Sequence, residues 1–167
     1  DAALSQEAAK ASWTKLRAGA DRNRSVSLLR TADGTLHVAF EEQLAGPAYR
    51  MLSVPVDPAG REGAAEQIDP VDGEPALLAG PDGSVRALAA EIRLSPPLEN
   101  ASGIFQYARG GTGAWSPPSQ VTDFGFSYAG RPNGLFMSDG TLLSLSPMAG
   151  VGRLFRNAGP KKNAVLY

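Results

Sequence analysis

From Trp13 onward, short segments rich in Val, Leu, Phe and Tyr alternate with clusters of Gly, Pro and Asp, and no stretch keeps a helical period. Apolar runs of this length, bounded by turn residues, predict an all-β chain. Residues 1–12 are rich in Ala, Gln, Glu and Lys and predict an N-terminal arm or short helix.

An Asp-Gly step followed by Ser or Thr and an aliphatic residue recurs three times: Asp33-Gly34-Thr35-Leu36, Asp82-Gly83-Ser84-Val85 and Asp139-Gly140-Thr141-Leu142. Apolar stretches flank each step, at 27–29 and 36–40, 75–79 and 85–90, and 135–137 and 142–145. Asp-Gly between two such runs predicts a hairpin closed by a two-residue type I′ turn. A third run follows each hairpin and carries Tyr49, then Phe105 and Tyr107, then Phe155. After the second of these runs, a glycine turn around Gly110 and Gly111 leads to an outer strand predicted to begin at Trp115. Aligning the third unit on the second sets Ala164 and Val165 opposite Ala114 and Trp115, so the third unit holds only the start of a fourth strand. The segment at Trp13 is similar to the one at Trp115 and supplies an outer strand at the other end of the chain.

The chain thus divides into a 1–12 arm and three units, at about 13–68, 69–121 and 122–167, in a permuted register. Four-stranded units of this length are β-propeller blades. A closed ring needs at least about four of them. The expected architecture is therefore all-β: three four-stranded β-propeller blades forming half of a six-bladed ring. The expected partner is a second copy, or another chain of a longer or cleaved protein, that completes the propeller. A three-sheet prism and an irregular β-sandwich are alternative arrangements of the same strands.

Composition narrows the function. The 19 Gly and 13 Pro match the density of turns. Lys and Arg total 16 against 17 Asp and Glu, so the clustered cation surplus that nucleic acid requires is missing. The absence of Cys excludes disulfides, thiolate catalysis and Cys-based zinc sites. His37 is the only histidine, so neither a metal site nor a cofactor is expected. No apolar run approaches the roughly 18 residues of a membrane span, and no membrane partner is expected.

Residues 28–40 (LLRTADGTLHVAF) and 107–121 (YARGGTGAWSPPSQV) resemble the blades of sialidase-like propellers, which carry Asp-box repeats of the form Ser/Thr-x-Asp-x-Gly-x-Thr-Trp. Trp115, Ser116 and Pro118 fit the end of that motif, and Gly110 stands where its Asp would be. The first and third units carry 57–61 and 157–161 in its place. The resemblance implies an exported protein whose arginines hold a sugar carboxylate. It makes Tyr107 and Tyr128 candidates for a nucleophile. The box itself stabilises the fold in that family and is not catalytic.

Propeller ligands sit at the channel mouth, on loops leading into the inner strands, here 19–24, 69–74 and 123–133. Arg24, Glu74 and Arg131 lie nine, eight and eight residues before their Asp-Gly steps and read as one station of a polar ring. The planar fork of Arg suits a carboxylate. Solvated, edge-protecting side chains are the alternative. Phe124, Phe126 and Tyr128 alternate in the third loop, placing their rings on one face to stack on a sugar or to wedge between blades. Asn133 ends that loop, and the ligand-binding candidates are Arg24, Glu74, Arg131, Asn133 and Tyr128. Glu41 and Glu42 follow a second strand and are expected to be solvated; acid/base work there requires burial to raise one pKa. His37 is expected to pack or to hydrogen-bond.

These readings favour a secreted or cell-surface β-propeller that binds a glycan or other acidic small ligand at the channel mouth without breaking it. A sialidase-like glycoside hydrolase with part of its site supplied by another chain is one alternative. A structural interaction module is the other. No residue is assigned a catalytic role.

Overall fold

The computed structural model describes residues 23–93, 101–123, 130–148, 151–157 and 163–165. The 1–12 arm, the expected strand at Trp13, and Phe124, Phe126 and Tyr128 lie outside the described residues.

The described residues form three antiparallel sheets and no helix. The first holds β1 (Asn23–Arg30), β2 (Leu36–Gln43), β3 (Tyr49–Val56) and β4 (Glu66–Asp69). The second holds β5 (Ala76–Ala79), β6 (Val85–Arg93), β7 (Ala101–Ala108) and β8 (Ser119–Asp123). The third holds β9 (Asn133–Phe136), β10 (Leu142–Met148), β11 (Val151–Asn157) and β12 (Asn163–Val165). Each sheet is ordered as the chain runs, every strand pairing with the next.

Two local expectations are corrected. The outer strand does not start at Trp115, which makes only an isolated bridge to Arg109, but at Ser119. Pro117 and Pro118 intervene, and neither has an N–H to give to a ladder. The Asp-Gly hairpins are also not two-residue type I′ turns. Gly34 N–H donates to Thr31 C=O and Thr31 N–H to Thr35 C=O, with Gly34 at φ 86°. This is a type I turn closed by a left-handed glycine. Asp33 is the acceptor inside it, its Oδ1 taking the Thr35 N–H at 3.0 Å. The turns at Gly80, Asp57, Gly110 and Met137 repeat the same pair of backbone bonds, with Gly83, Gly60, Gly113 and Gly140 in the left-handed position.

The middle sheet is packed on both faces. Ala87, Ala89, Phe105 and Tyr107 meet Ala39, Met51 and Ile68 of the first sheet, with Leu77 and Trp115 at the margin. The alanines let the inner strands approach while the two rings fill the wider outer part of the seam; truncating a core aromatic of this kind costs about 3–5 kcal/mol. On the opposite face, Leu78, Leu88, Ile104 and Val121 meet Leu142 and Phe136 of the third sheet. A bidentate pair between Arg109, just after β7, and Glu66 on β4 clamps the first seam, with Nε to Oε2 at 2.7 Å.

The end faces differ. Ala39 and Leu88, each six residues after its Asp-Gly aspartate, are fully buried in the two seams, whereas Leu145 at the same station is 44% exposed. Leu78, four residues before its aspartate, is 6% exposed, and Leu135 at that station is 56% exposed. On the first sheet the exposure is confined to β1, at Val26 and Leu28; Val38, Phe40, Leu52 and Val54 on the same face are buried.

Candidate functional site

The strands fix which residues are equivalent. Arg24 pairs with Glu41, Ala90 N–H donates to Gly73 C=O, and Gly130 N–H donates to Pro147 C=O. Arg24, Gly73 and Gly130 therefore share a station, while Glu74 and Arg131 align with Ser25. The charged ring expected from Arg24, Glu74 and Arg131 is thus out of step by one residue. The offset lies in the spacing, nine residues before the aspartate for Arg24 against eight for Glu74 and Arg131, while the backbone irregularity is shared, Ser25 taking φ 56° and Glu74 φ 49° at one station.

The segment from Asp69 to Glu74, leading from β4 into β5, is held from both sides. On the first-sheet side, Glu41 is fully buried. Its Oε1 accepts the N–H groups of Gly73 and Glu74 at 3.1 and 3.2 Å, and its Oε2 accepts Arg24 Nε at 2.8 Å. Arg24 Nη2 also donates to Asp72 Oδ2 at 2.6 Å. The guanidinium lies over the Tyr49 ring, 3.9 Å from its centroid.

On the second-sheet side, Arg93 Nη2 donates to Asp69 Oδ2 and to the Tyr107 hydroxyl, each at 2.7 Å. That hydroxyl donates to Glu91 Oε1. Arg93 Nε lies 2.6 Å from Glu91 Oε2 but is not aligned for a hydrogen bond, so this contact is purely ionic. All four side chains are buried. Gly73 separates the two networks, and a Cβ there would come within 2.8 Å of Glu91 Cγ.

The electrostatics follow from this packing. Burial alone would raise Glu41, but hydrogen bonds from Asp72, the Glu74 N–H and Arg24 hold it below the usual carboxylate range. Asp72 is pushed up to about 6 by burial, then by its hydrogen bond to Glu41 and that residue's charge, against the opposing pull of Arg24. Of the two, Asp72 is the group that takes up a proton first as the pH falls. Glu91 is pushed up to about 7 by burial, with Tyr107 and Arg93 opposing. Tyr107 is raised far above its ordinary value by burial and by Glu91.

Of the residues singled out in the sequence, Arg24 and Glu74 are brought together around Glu41. Arg131 and Asn133 belong to the third sheet, and among the described residues no hydrogen bond or ion pair links them to Arg24; Asn133 lies beside Leu135 on the open end face. Glu41 and Glu42 are not solvated: both lie within β2 and are buried. Each is matched by a cation, Glu41 by Arg24 and Glu42 by Arg50 at 2.8 Å. Asp69, Asp72, Glu91 and Arg93 were not anticipated. One signal was present: Glu91 stands nine residues after its Asp-Gly aspartate, as Glu42 does.

A xylan β-1,4-xylosidase from Bacillus halodurans C-125 is similar in structure, with a TM-score of 0.58 at 15% identity over 86% of this chain and 31% of that one. A Hadza microbial sialidase is similar with a TM-score of 0.60 at 14% identity, over 84% of this chain and 36% of its own. At such identity the likeness is one of fold, an all-β arrangement of propeller type. The chain spans about a third of the length of either structure. No protein-family model matches it, and no curated protein does.

Proposed function

We propose that the three sheets are blades of a β-propeller, half of a six-bladed ring, and that the loop end of the first seam binds a neutral glycan without cleaving it. The observation that carries this reading is the charge balance around the 69–74 segment. Asp69, Asp72, Glu74, Glu41 and Glu91 outnumber Arg24 and Arg93. Arg24, the residue an acidic sugar would require, already bridges Glu41 and Asp72. Asp72 and Glu74 reach the surface, and hydroxyl groups are the donors that such carboxylates accept. The two structurally similar proteins are named for action on sugars, which agrees with a glycan ligand.

Binding is favoured over hydrolysis because Glu41 and Glu91 are buried with their oxygens engaged. That leaves Asp72 and Glu74 as the carboxylates of this group that reach the surface. Both stand on the one 69–74 segment, whereas acid/base cleavage of a glycoside uses two carboxyl groups on opposite sides of the bond. One observation favours the hydrolase reading, with part of the site supplied by another chain: Asp72 keeps its proton up to about pH 6, as a general acid must. A secreted or cell-surface location suits either activity.

The test is titration calorimetry with neutral oligosaccharides and with sialyl oligosaccharides. Neutral sugars are expected to bind, and Asp72→Ala to weaken them at least about tenfold. Unchanged affinity in Asp72→Ala, or a preference for the sialylated ligand, overturns the reading. Release of reducing sugar that disappears in Asp72→Asn would establish the hydrolase instead.

A further inference from the structure

At the opposite end of the strands, where the Asp-Gly hairpins turn, a cavity of about 410 Å3 opens between the first and second sheets. Its lining includes Thr31, Asp33, His37, Ser84, Arg109 and Gly111. The volume falls in the small-ligand range of roughly 300–1,000 Å3. No part of the carboxylate network around Asp72 contributes to it.

His37 is 4% exposed, and its Nδ1 has no hydrogen-bond partner among the described residues. Nδ1 itself is closed off from solvent, so the ring lines the cavity with its remaining edge. Burial, and then the charge of Arg109, lower the His37 pKa, so the ring is neutral at physiological pH. Arg109 is held bidentately by Glu66 and brings no unmatched positive charge. Asp33 is ionised, kept below its ordinary value by hydrogen bonds from Thr31 and Thr35. The lining therefore repels anions. Among the described residues no three His, Cys, Asp or Glu side chains are grouped to hold a metal ion.

The glycines give the cavity its access to backbone. A Cβ added at Gly111 would meet nothing within 4 Å, so the space over that peptide is open. Hydroxyl groups entering there face an anionic acceptor at Asp33, the edge of a neutral imidazole and bare backbone.

We infer that this cavity is a second binding site, for a neutral polyhydroxyl compound of monosaccharide size, held by His37, Asp33 and the backbone around Gly111. The site is separate from the glycan site at the loop end and does not depend on it.

The single histidine makes the test direct, because one imidazole gives one set of ring 15N signals. D-Glucose, D-xylose and glycerol are titrated into the 15N-labelled chain. Saturable displacement of the His37 signals by the two sugars, and much weaker displacement by glycerol, is expected. Gly111→Leu projects into open space without backbone strain, and it should weaken the sugars at least about tenfold while preserving the fold. Asp72→Ala should leave the titration unchanged. Absence of saturable displacement, equal affinity in Gly111→Leu, or loss of the response in Asp72→Ala overturns the inference.

Discussion

Replacing Glu91 with Gln removes the charge that burial in the first seam most strongly opposes, and its effect has a calculable pH dependence. In the folded protein Glu91 is pushed up to about 7 from an ordinary 4.5. The folded state therefore binds more protons than the unfolded state between these values, and stability falls as pH rises through that window. The contribution is fully retained below about 4.5 and lost as the pH passes 7. Integrating between pH 5 and pH 8 gives a loss of about 2.5 kcal/mol from this one group. The facing groups are Asp69, Arg93 and Tyr107, and Gln can still accept the Tyr107 hydroxyl. Urea unfolding followed by tryptophan fluorescence, at pH 5 and pH 8, measures the difference. The wild type should lose about 2–3 kcal/mol more than Glu91→Gln over this interval. Asp72 is raised as well, but it is present in both proteins and cancels. Parallel profiles, or a wild type that gains on the variant as pH rises, would refute the argument.

Gly73→Ala would set a Cβ 2.8 Å from Glu91 Cγ and 2.9 Å from Ala89 Cβ, an overpacking worth about 1–3 kcal/mol, read as a lower urea midpoint at constant slope. Gly111→Ala, which meets nothing, should stay within about 0.5 kcal/mol of wild type in the same assay. Arg109→Ala leaves the partly buried Glu66 without its cation and should destabilise by about 1–3 kcal/mol, between the values for surface and buried pairs. Native mass spectrometry of wild type and Leu145→Lys tests the open face of the third sheet: a completed ring gives an assembled mass that the Lys variant reduces to a folded monomer. A monomeric wild type at micromolar concentration would sink the half-ring.

The sheets were legible in the sequence because one turn carries their repeat. An aspartate accepts the N–H two residues on at Asp33, Asp82 and Asp139, and the glycine that follows each supplies the left-handed residue. The dipeptide was nevertheless the wrong thing to read. What the turn requires is glycine at its fourth position, and Gly60 and Gly113 satisfy this without an Asp-Gly step. The outer hairpins at Asp57 and Gly110 are therefore the same device as the inner ones. Asp57 plays the acceptor role in the first sheet, taking the N–H groups of Ala59 and Arg61, where Gly110 in the second has no side chain to do so.

The candidate site was much less legible, because its partners are supplied across the seam. Alternation along β2 puts Glu41 with Ala39 and Glu42 with Val38 and Phe40 on opposite faces; the second sheet covers the face of Glu41, and Glu42 is buried on the other beside Val38 and Phe40. The Asp72 that completes the Arg24 bridge is 48 residues away in sequence. Once the stations are aligned, the three sheets show where the chemistry lies. The station of Glu41 is Ala90 in the second sheet and Pro147 in the third, and that of Glu42 is Glu91 and then Met148. The acid of this last station recurs in two sheets, Glu42 with Arg50 and Glu91 with Arg93. The second seam is instead closed by Leu78, Leu88, Ile104 and Leu142, with no buried ion pair among its described residues. Buried ion pairs add little net stability over well-packed apolar side chains. The first seam departs from its neighbour in holding such pairs, and the half-exposed Asp72 lies at its loop end.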